Sequence, residues 1–438
     1  MQVNLNVPFT NQMSVPQKFI FYSKQNDDLM FGKNDDIEIY CSSVIKAVSV
    51  KWTISRNMFD IPFDGETAEP LPSYSWRIKI NTKALYPGFY DIKITADLGN
   101  GLSESAICTF GYDAPNMKIN FNRPGDFNDF WQQSLKSLSS VELDAEISDK
   151  QTFVGKQIDC YNVLCAALPA DYDKYGHSVN EVEAYKVSFA SVNETRIYGR
   201  LAKPKCGGKL PAMIIFPGAG FASRPIPLEH ARHGYLALDI QVHGQEVDSE
   251  EYKPSEAFET RNDFSNPNNY YYNDIYLHCI QAVNYICSRD DVDTDNIILV
   301  GGSQGGRLSI TTAALDNRIK AVVAAIAHHS NIPYLKWAEE QSGIGNGMDC
   351  EMSMKSSTLP NNIAYYDIMN FAPDIHCPVL MNAGLIDKVS PPSGVFAVYN
   401  LLSSEIKEIV PIQGIAHDWS AEFDRYAWKW LKQLNFKR

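Results

Sequence analysis

Gly301-Gly302-Ser303-Gln304-Gly305 sets a serine between glycines, directly after the apolar run Ile297-Ile298-Leu299-Val300. A G-x-S-x-G between a strand and a helix has the pattern of a nucleophile elbow: small neighbours permit the tight turn, and the turn lifts the hydroxyl out of the sheet. The backbone N–H groups that open the helix put partial positive charge where an oxyanion would form. Glycine-rich turns of this kind also bind phosphates, but neither a G-x-G-x-x-G nor a Lys-Ser/Thr pair follows here. In this type of site the serine is followed along the chain by an acid and then a histidine. Gly384-Leu385-Ile386-Asp387 follows the run Val379-Leu380-Met381, and Gly414-Ile415-Ala416-His417 follows Glu408-Ile409-Val410-Pro411-Ile412, so both stand where a strand ends. Ser303 is expected to attack, His417 to take and return its proton, and Asp387 to hold the imidazole's tautomer.

Other polar residues fit less well. His328 and His329 follow an apolar run but precede the acid, so His329 is expected to line the pocket rather than act as base. His230 and His233 read as a helix end, and Asp374 lies before its strand rather than after it. The absence of H-E-x-x-H argues against a zinc hydrolase, and no metal is expected. An oxyanion hole would take the N–H of Gln304 and one from the loop after Ala212–Phe216; Ala219, in Pro217-Gly218-Ala219-Gly220, is the candidate.

The elements that must position these groups are of two styles. Residues 1–115 show period-2 runs (Ile37–Tyr40, Val48–Ile54, Trp76–Ile80, Tyr90–Thr95) separated by turn signals, which predicts a small β-sandwich-like domain. Cys41, Trp52 and Cys108 have the order of an immunoglobulin signature, but the tyrosine-bearing strand Tyr90-Asp91-Ile92-Lys93 lacks the second cysteine. From 116 to 438 the style is α/β. Asp126 is expected to cap a helix beginning at Phe127, and strands are expected near 158–166, 182–190 and 194–202. Apolar strands then alternate with helices at Ala212–Phe216, His233–Ile240, Asn273–Ser288, Asn296–Val300, Ala321–Ala327, Val379–Gly384, Ser393–Leu402, Glu408–Ile412 and Ala421–Leu434. That alternation predicts a mostly parallel, doubly wound sheet covered on both faces, and the serine elbow with an acid and a histidine following in order points to its α/β-hydrolase form.

Composition narrows the class. The chain has 438 residues, 45% hydrophobic and 21% charged, ordinary for a globular protein. A net charge of −13 without a basic block argues against nucleic acid, and no apolar run is long enough to span a membrane. Nine cysteines without C-x-x-C predict neither a disulfide framework nor a zinc ribbon. The opening MQVNLNVPFT lacks a secretory pattern, which suits a cytoplasmic protein and equally an exported one whose signal was removed.

Over about residues 115–435 the chain resembles the acetyl xylan esterase/cephalosporin C deacetylase group, carbohydrate esterase family seven. The resemblance is carried by Asp126-Phe127-Asn128-Asp129-Phe130-Trp131, Tyr270-Tyr271-Tyr272-Asn273-Asp274, Gly301-Gly302-Ser303-Gln304-Gly305-Gly306, and Gly384-Leu385-Ile386-Asp387 with Pro391-Pro392-Ser393 and Ala397-Val398-Tyr399-Asn400. It implies Ser303, Asp387 and His417 as a triad, Gln304 and Ala219 as oxyanion donors, and hydrolysis of acetyl esters on small sugars or oligosaccharides without a cofactor. It also implies a homo-oligomer. Two departures stand out. His243-Gly244-Gln245 replaces the family's Arg-Gly-Gln, making His243 and Gln245 pocket candidates, and Pro217-Gly218-Ala219 replaces His-Gly-Tyr, removing a tyrosine that shapes the acyl pocket. Two readings compete with the esterase: a prolyl oligopeptidase-like serine peptidase, and a non-catalytic carbohydrate-binding protein on an esterase scaffold.

Overall fold

The computed structural model describes residues 18–59, 61–158, 179–220, 223–249, 261, 266–334, 361–418 and 420–434. The alternating runs near the start form β1 (Phe19–Tyr22), β2 (Met30–Phe31), β3 (Glu38–Ser43), β4 (Ser49–Arg56), β5 (Pro62–Thr67), β6 (Glu69–Leu71), β7 (Ser75–Lys79), β8 (Gly88–Gly99) and β9 (Leu102–Tyr112). They pair into two sheets, β1-β3-β7-β6 and β2-β9-β8-β4-β5. In β4, Val50, Trp52 and Ile54 are buried while Lys51 and Thr53 are exposed, as a strand with one wet face requires. Trp76 and Tyr90 are core residues, and Tyr74 is exposed. Cys41 and Cys108, on opposite sheets, are buried free thiols.

The remaining strands are β10 (Glu146–Val154), β11 (Glu181–Ala190), β12 (Arg196–Pro204), β13 (Leu210–Phe216), β14 (Leu236–Gln241), β15 (Val292–Gly302), β16 (Ile319–Ala325), β17 (Val379–Gly384) and β18 (Lys407–Ile412). They form one nine-stranded sheet, in order β10-β11-β12-β14-β13-β15-β16-β17-β18. It is antiparallel from β10 to β14 and parallel from β14 to β18. The strand expected near 158–166 lies outside the described residues, which stop at 158 and resume at 179; the edge strand of the sheet is β10, which the reading of the sequence did not list.

The helices used below are α1 (Phe127–Leu138), α2 (Leu228–Arg232), α3 (Tyr271–Cys287), α4 (Gln304–Leu315), α5 (Pro392–Leu401) and α6 (Ala421–Gln433). Strand neighbours sort to opposite faces of the sheet. Met213, Ile298, Ala321, Val323 and Leu380 join Phe423, Ala427, Trp430 and Leu431 of α6. Ala212, Ile214, Ile297, Leu299 and Val322 join Ile275, Cys279 and Leu308 of α3 and α4. A strand buried on both faces has no polar side to show, which is why these runs are continuously apolar. Asp126 stands at the N-cap of α1, but its carboxylate accepts the Tyr365 hydroxyl (2.5 Å) and makes no capping bond.

The sandwich is joined to this layer. Its core and that of the α3–α4–α5 face form one buried cluster, with Phe89 against Phe396 at 4.8 Å between centroids. It also reaches the loops beyond three consecutive parallel strands. The Asn57 carbonyl accepts the Tyr334 hydroxyl (3.1 Å), Lys388 faces Asp91 and Lys93 across a narrow cleft, and the Phe21 carbonyl accepts Gln413 Nε2 (2.5 Å).

Candidate active site

Ser303 stands between β15 and α4, at the N-cap of the helix, with φ 56° and ψ −118°, a conformation costly for a residue with a side chain. Its surroundings leave little alternative. Its N–H donates to the Ala325 carbonyl (2.9 Å), and its own carbonyl accepts the N–H of Arg307 (3.1 Å) and of His328 (3.2 Å). The glycines are required by contact: a Cβ on Gly305 would lie 2.3 Å from the Phe216 carbonyl oxygen, and one on Gly301 would lie 2.3 Å from the backbone of Gly305. The elbow therefore sits backbone to backbone against the end of β13.

Asp387 and His417 arrive on the loops after β17 and β18. The Ser303 hydroxyl is 2.8 Å from His417 Nε2, and His417 Nδ1 is 2.8 Å from Asp387 Oδ2. Asp387 is fully buried, and its other oxygen accepts the N–H groups of Val389 and Ser390, both at 2.8 Å. The two loops are in contact through backbone, since a Cβ on Gly384 would lie 2.6 Å from the Ile415 carbonyl oxygen. Asp374 is elsewhere, paired with Arg123 (2.6 Å).

The other expected residues are placed as follows. Gln304 opens α4 and is buried; its Nε2 donates to the Gly218 carbonyl (3.3 Å), and its Oε1 accepts the Tyr272 hydroxyl (2.9 Å). Ala219 lies exposed in the turn after β13. His243 is buried after β14 with Nδ1 2.8 Å from the Tyr271 hydroxyl, one residue from Tyr272, and Gln245 is half-buried nearby in sequence. His329 is wholly buried, its ring 6.2 Å from that of Tyr272. Its neighbour His328 is the one that approaches His417, at 6.5 Å between rings. Left-handed backbone at Ile326 and His329 turns the chain sharply there, so residue order along the run does not tell which histidine faces the site.

Three buried residues packed behind the elbow escaped the reading of the sequence as site residues. Arg307 is fully buried with its guanidinium 3.7 Å from the centroid of the Tyr272 ring and Nε donating to the Tyr276 hydroxyl (2.5 Å). Asp367 accepts N–H groups of Asn331, Ile332 and Met369, and burial pushes its carboxyl up to about 6 against those bonds and the charge of Arg307. A charged residue one helical turn past the serine was the available signal for Arg307. Tyr272 was visible only as part of a tyrosine-rich helix start. Among the described residues, no three His, Cys, Asp or Glu side chains gather as a metal site would require.

The acetyl xylan esterase (AXE1) family model matches residues 165–434. The chain belongs to the acetyl xylan esterase family. It is a carboxylic ester hydrolase of α/β-hydrolase fold. The acetyl esterase Axe7A of Xylanibacter ruminicola is 29% identical over 359 residues, 79% of this chain and 74% of that protein. Acetyl xylan esterase 1 of Thermoanaerobacterium sp. JW/SL YS485 shares the fold at TM-score 0.58 and 24% identity, covering 73% of this chain and 97% of that one. The acetyl xylan esterase of Paenibacillus sp. R4 does so at 0.55 and 23%, covering 73% and 98%. No helix among the described residues of this esterase is long and apolar enough to cross a membrane.

Proposed function

We propose that this chain is a serine esterase that removes acetyl groups from acetylated sugars or oligosaccharides through an acyl-enzyme on Ser303. The observation that carries the reading is the hydrogen-bonded chain Ser303–His417–Asp387, with both links at 2.8 Å. Ser303 Oγ attacks the acetyl carbonyl as His417 Nε2 takes its proton. Asp387 keeps the remaining proton on Nδ1 and stabilises the imidazolium. The N–H groups of Gln304 and Ala219 receive the oxyanion. His417 protonates the departing sugar oxygen, and water then attacks the acetyl-serine with His417 as base. His243, Gln245 and His329 belong to the walls behind this site in the same reading. The division into units 1–115 and 116–438, and assembly as a homo-oligomer, are further parts of it.

Acetate release from acetylated xylo-oligosaccharide, with p-nitrophenyl acetate and butyrate alongside, tests the reading against Ser303→Ala. The expected result is acetate release that Ser303→Ala lowers by about 10³-fold or more. Acetate release that persists in Ser303→Ala overturns the mechanism. Serine-dependent turnover of an aminoacyl anilide with none of the sugar ester would favour a peptidase, and no turnover at all a binding protein.

A further inference from the structure

We propose that the side chain of Gln304 is the positioning group that aims the second oxyanion donor, the N–H of Ala219. The inference rests on the esterase reading above and goes beyond it, because there Gln304 acts only through its backbone. The elbow grips the loop after β13 at consecutive residues. Gly305 has no Cβ, so the Phe216 and Pro217 carbonyls close directly on the start of α4. The Gln304 side chain takes the next carbonyl, that of Gly218, through Nε2 at 3.3 Å.

The carbonyl of one residue and the N–H of the next point in opposite directions across a trans peptide, and the described residues contain no cis bond. Drawing the Gly218 carbonyl inward onto a buried amide therefore turns the Ala219 N–H outward, to the side where Ala219 is exposed. Gly218 itself would leave that peptide free to rotate, since glycine has no Cβ to restrict it. The amide is in turn held by its other end. Its Oε1 accepts the Tyr272 hydroxyl, which fixes which end of the amide faces Gly218. The Tyr272 ring is clamped by the Arg307 guanidinium at 3.7 Å, and Arg307 is anchored on Tyr276. The chain Arg307–Tyr272–Gln304–Gly218 thus links the helix behind the nucleophile to the peptide in front of it. A side chain of this length with a donor at one end and an acceptor at the other is needed, and glutamine supplies both.

The experiment measures kcat, KM and the inhibition constant of a small alkylboronic acid, which forms a tetrahedral adduct on the serine. Wild type, Gln304→Ala, Gln304→Glu and Tyr272→Phe are compared, with active sites counted by burst titration. Glutamate keeps the length and the acceptor but faces the Gly218 carbonyl with a second oxygen. Both Gln304 variants are expected to lose about 10²-fold in kcat with KM changed by less than about threefold. Boronate affinity should fall in parallel with kcat. Tyr272→Phe, which keeps the ring under Arg307, should lose about tenfold with the same split. Unchanged kcat per titrated site in Gln304→Glu, or substrate and boronate binding weakened alike, overturns the proposal. Ser303→Ala run beside them separates the two failures: if activity survives that change, the esterase reading itself is lost.

Discussion

Asp387 uses its two oxygens for different purposes. One accepts His417 Nδ1–H and the other accepts the N–H groups of Val389 and Ser390. An asparagine has only one acceptor. If its amide nitrogen faced the loop, it would meet two donors. Facing His417, it would force the ring proton onto Nε2, where Ser303 needs a base. Asp387→Asn is therefore expected to lower kcat by about 10³–10⁴-fold with little change in KM, read by steady-state kinetics on p-nitrophenyl acetate. Asp367 makes a different prediction. Burial raises its carboxyl from 3.8 to about 6. The folded state therefore binds that proton more tightly than the unfolded chain, and the associated stability is present below about pH 4 and lost as pH rises through about 6. The difference is on the order of 3 kcal/mol. Urea unfolding should show wild type gaining that much relative to Asp367→Asn as pH falls from 7 to 4; parallel pH curves for the two would refute it.

At the scale of elements, the site is assembled by backbone contacts between loops that are far apart in sequence. The end of β17 and the loop after β18 touch at Gly384, where the Ile415 and Ala416 carbonyl oxygens leave no room for a Cβ. Gly384→Ala must push the histidine loop away from the acid. It is expected to lose about 10²-fold in kcat, since ångström-scale misplacement of a catalytic group has that cost. Circular dichroism should still report a folded protein. The elbow shows how much of this was readable. Gly301 and Gly305 stand out in the sequence because the turn needs small residues, and the order of Ser303, Asp387 and His417 follows from where strands end. The choice between His328 and His329 was not readable, because it depends on left-handed backbone at Ile326 and His329.

At the scale of the whole molecule, the sandwich does not hang from the α/β layer on a linker. Phe89 and Phe396 belong to one buried cluster, and the Gln413 contact with Phe21 lies four residues from His417. Unfolding should accordingly be a single calorimetric transition. Phe396→Ala is expected to cost about 3–5 kcal/mol and to lower the melting of both parts together. Two separate transitions, or a stable and fully active chain lacking residues 1–113, would show the sandwich to be independent.

The sequence by itself determined what depends on local chemistry: period-2 strands near the start, doubly buried strands after Leu210, and the strand–turn–helix around Ser303 with an acid and a histidine following in order. These are legible because backbone sterics and face-by-face burial act over a few residues. Only the tertiary structure decided that β10 lies at Glu146–Val154, where an exposed edge strand carries little apolar pattern to read. It also decided that Gln304 turns its amide to Gly218, that Arg307 is buried over Tyr272, and that the sandwich touches the loops of the acid and the histidine. Each of those is a contact between residues distant in sequence, set by how the sheets and helices close on one another, and no pattern in one stretch of chain encodes its partner.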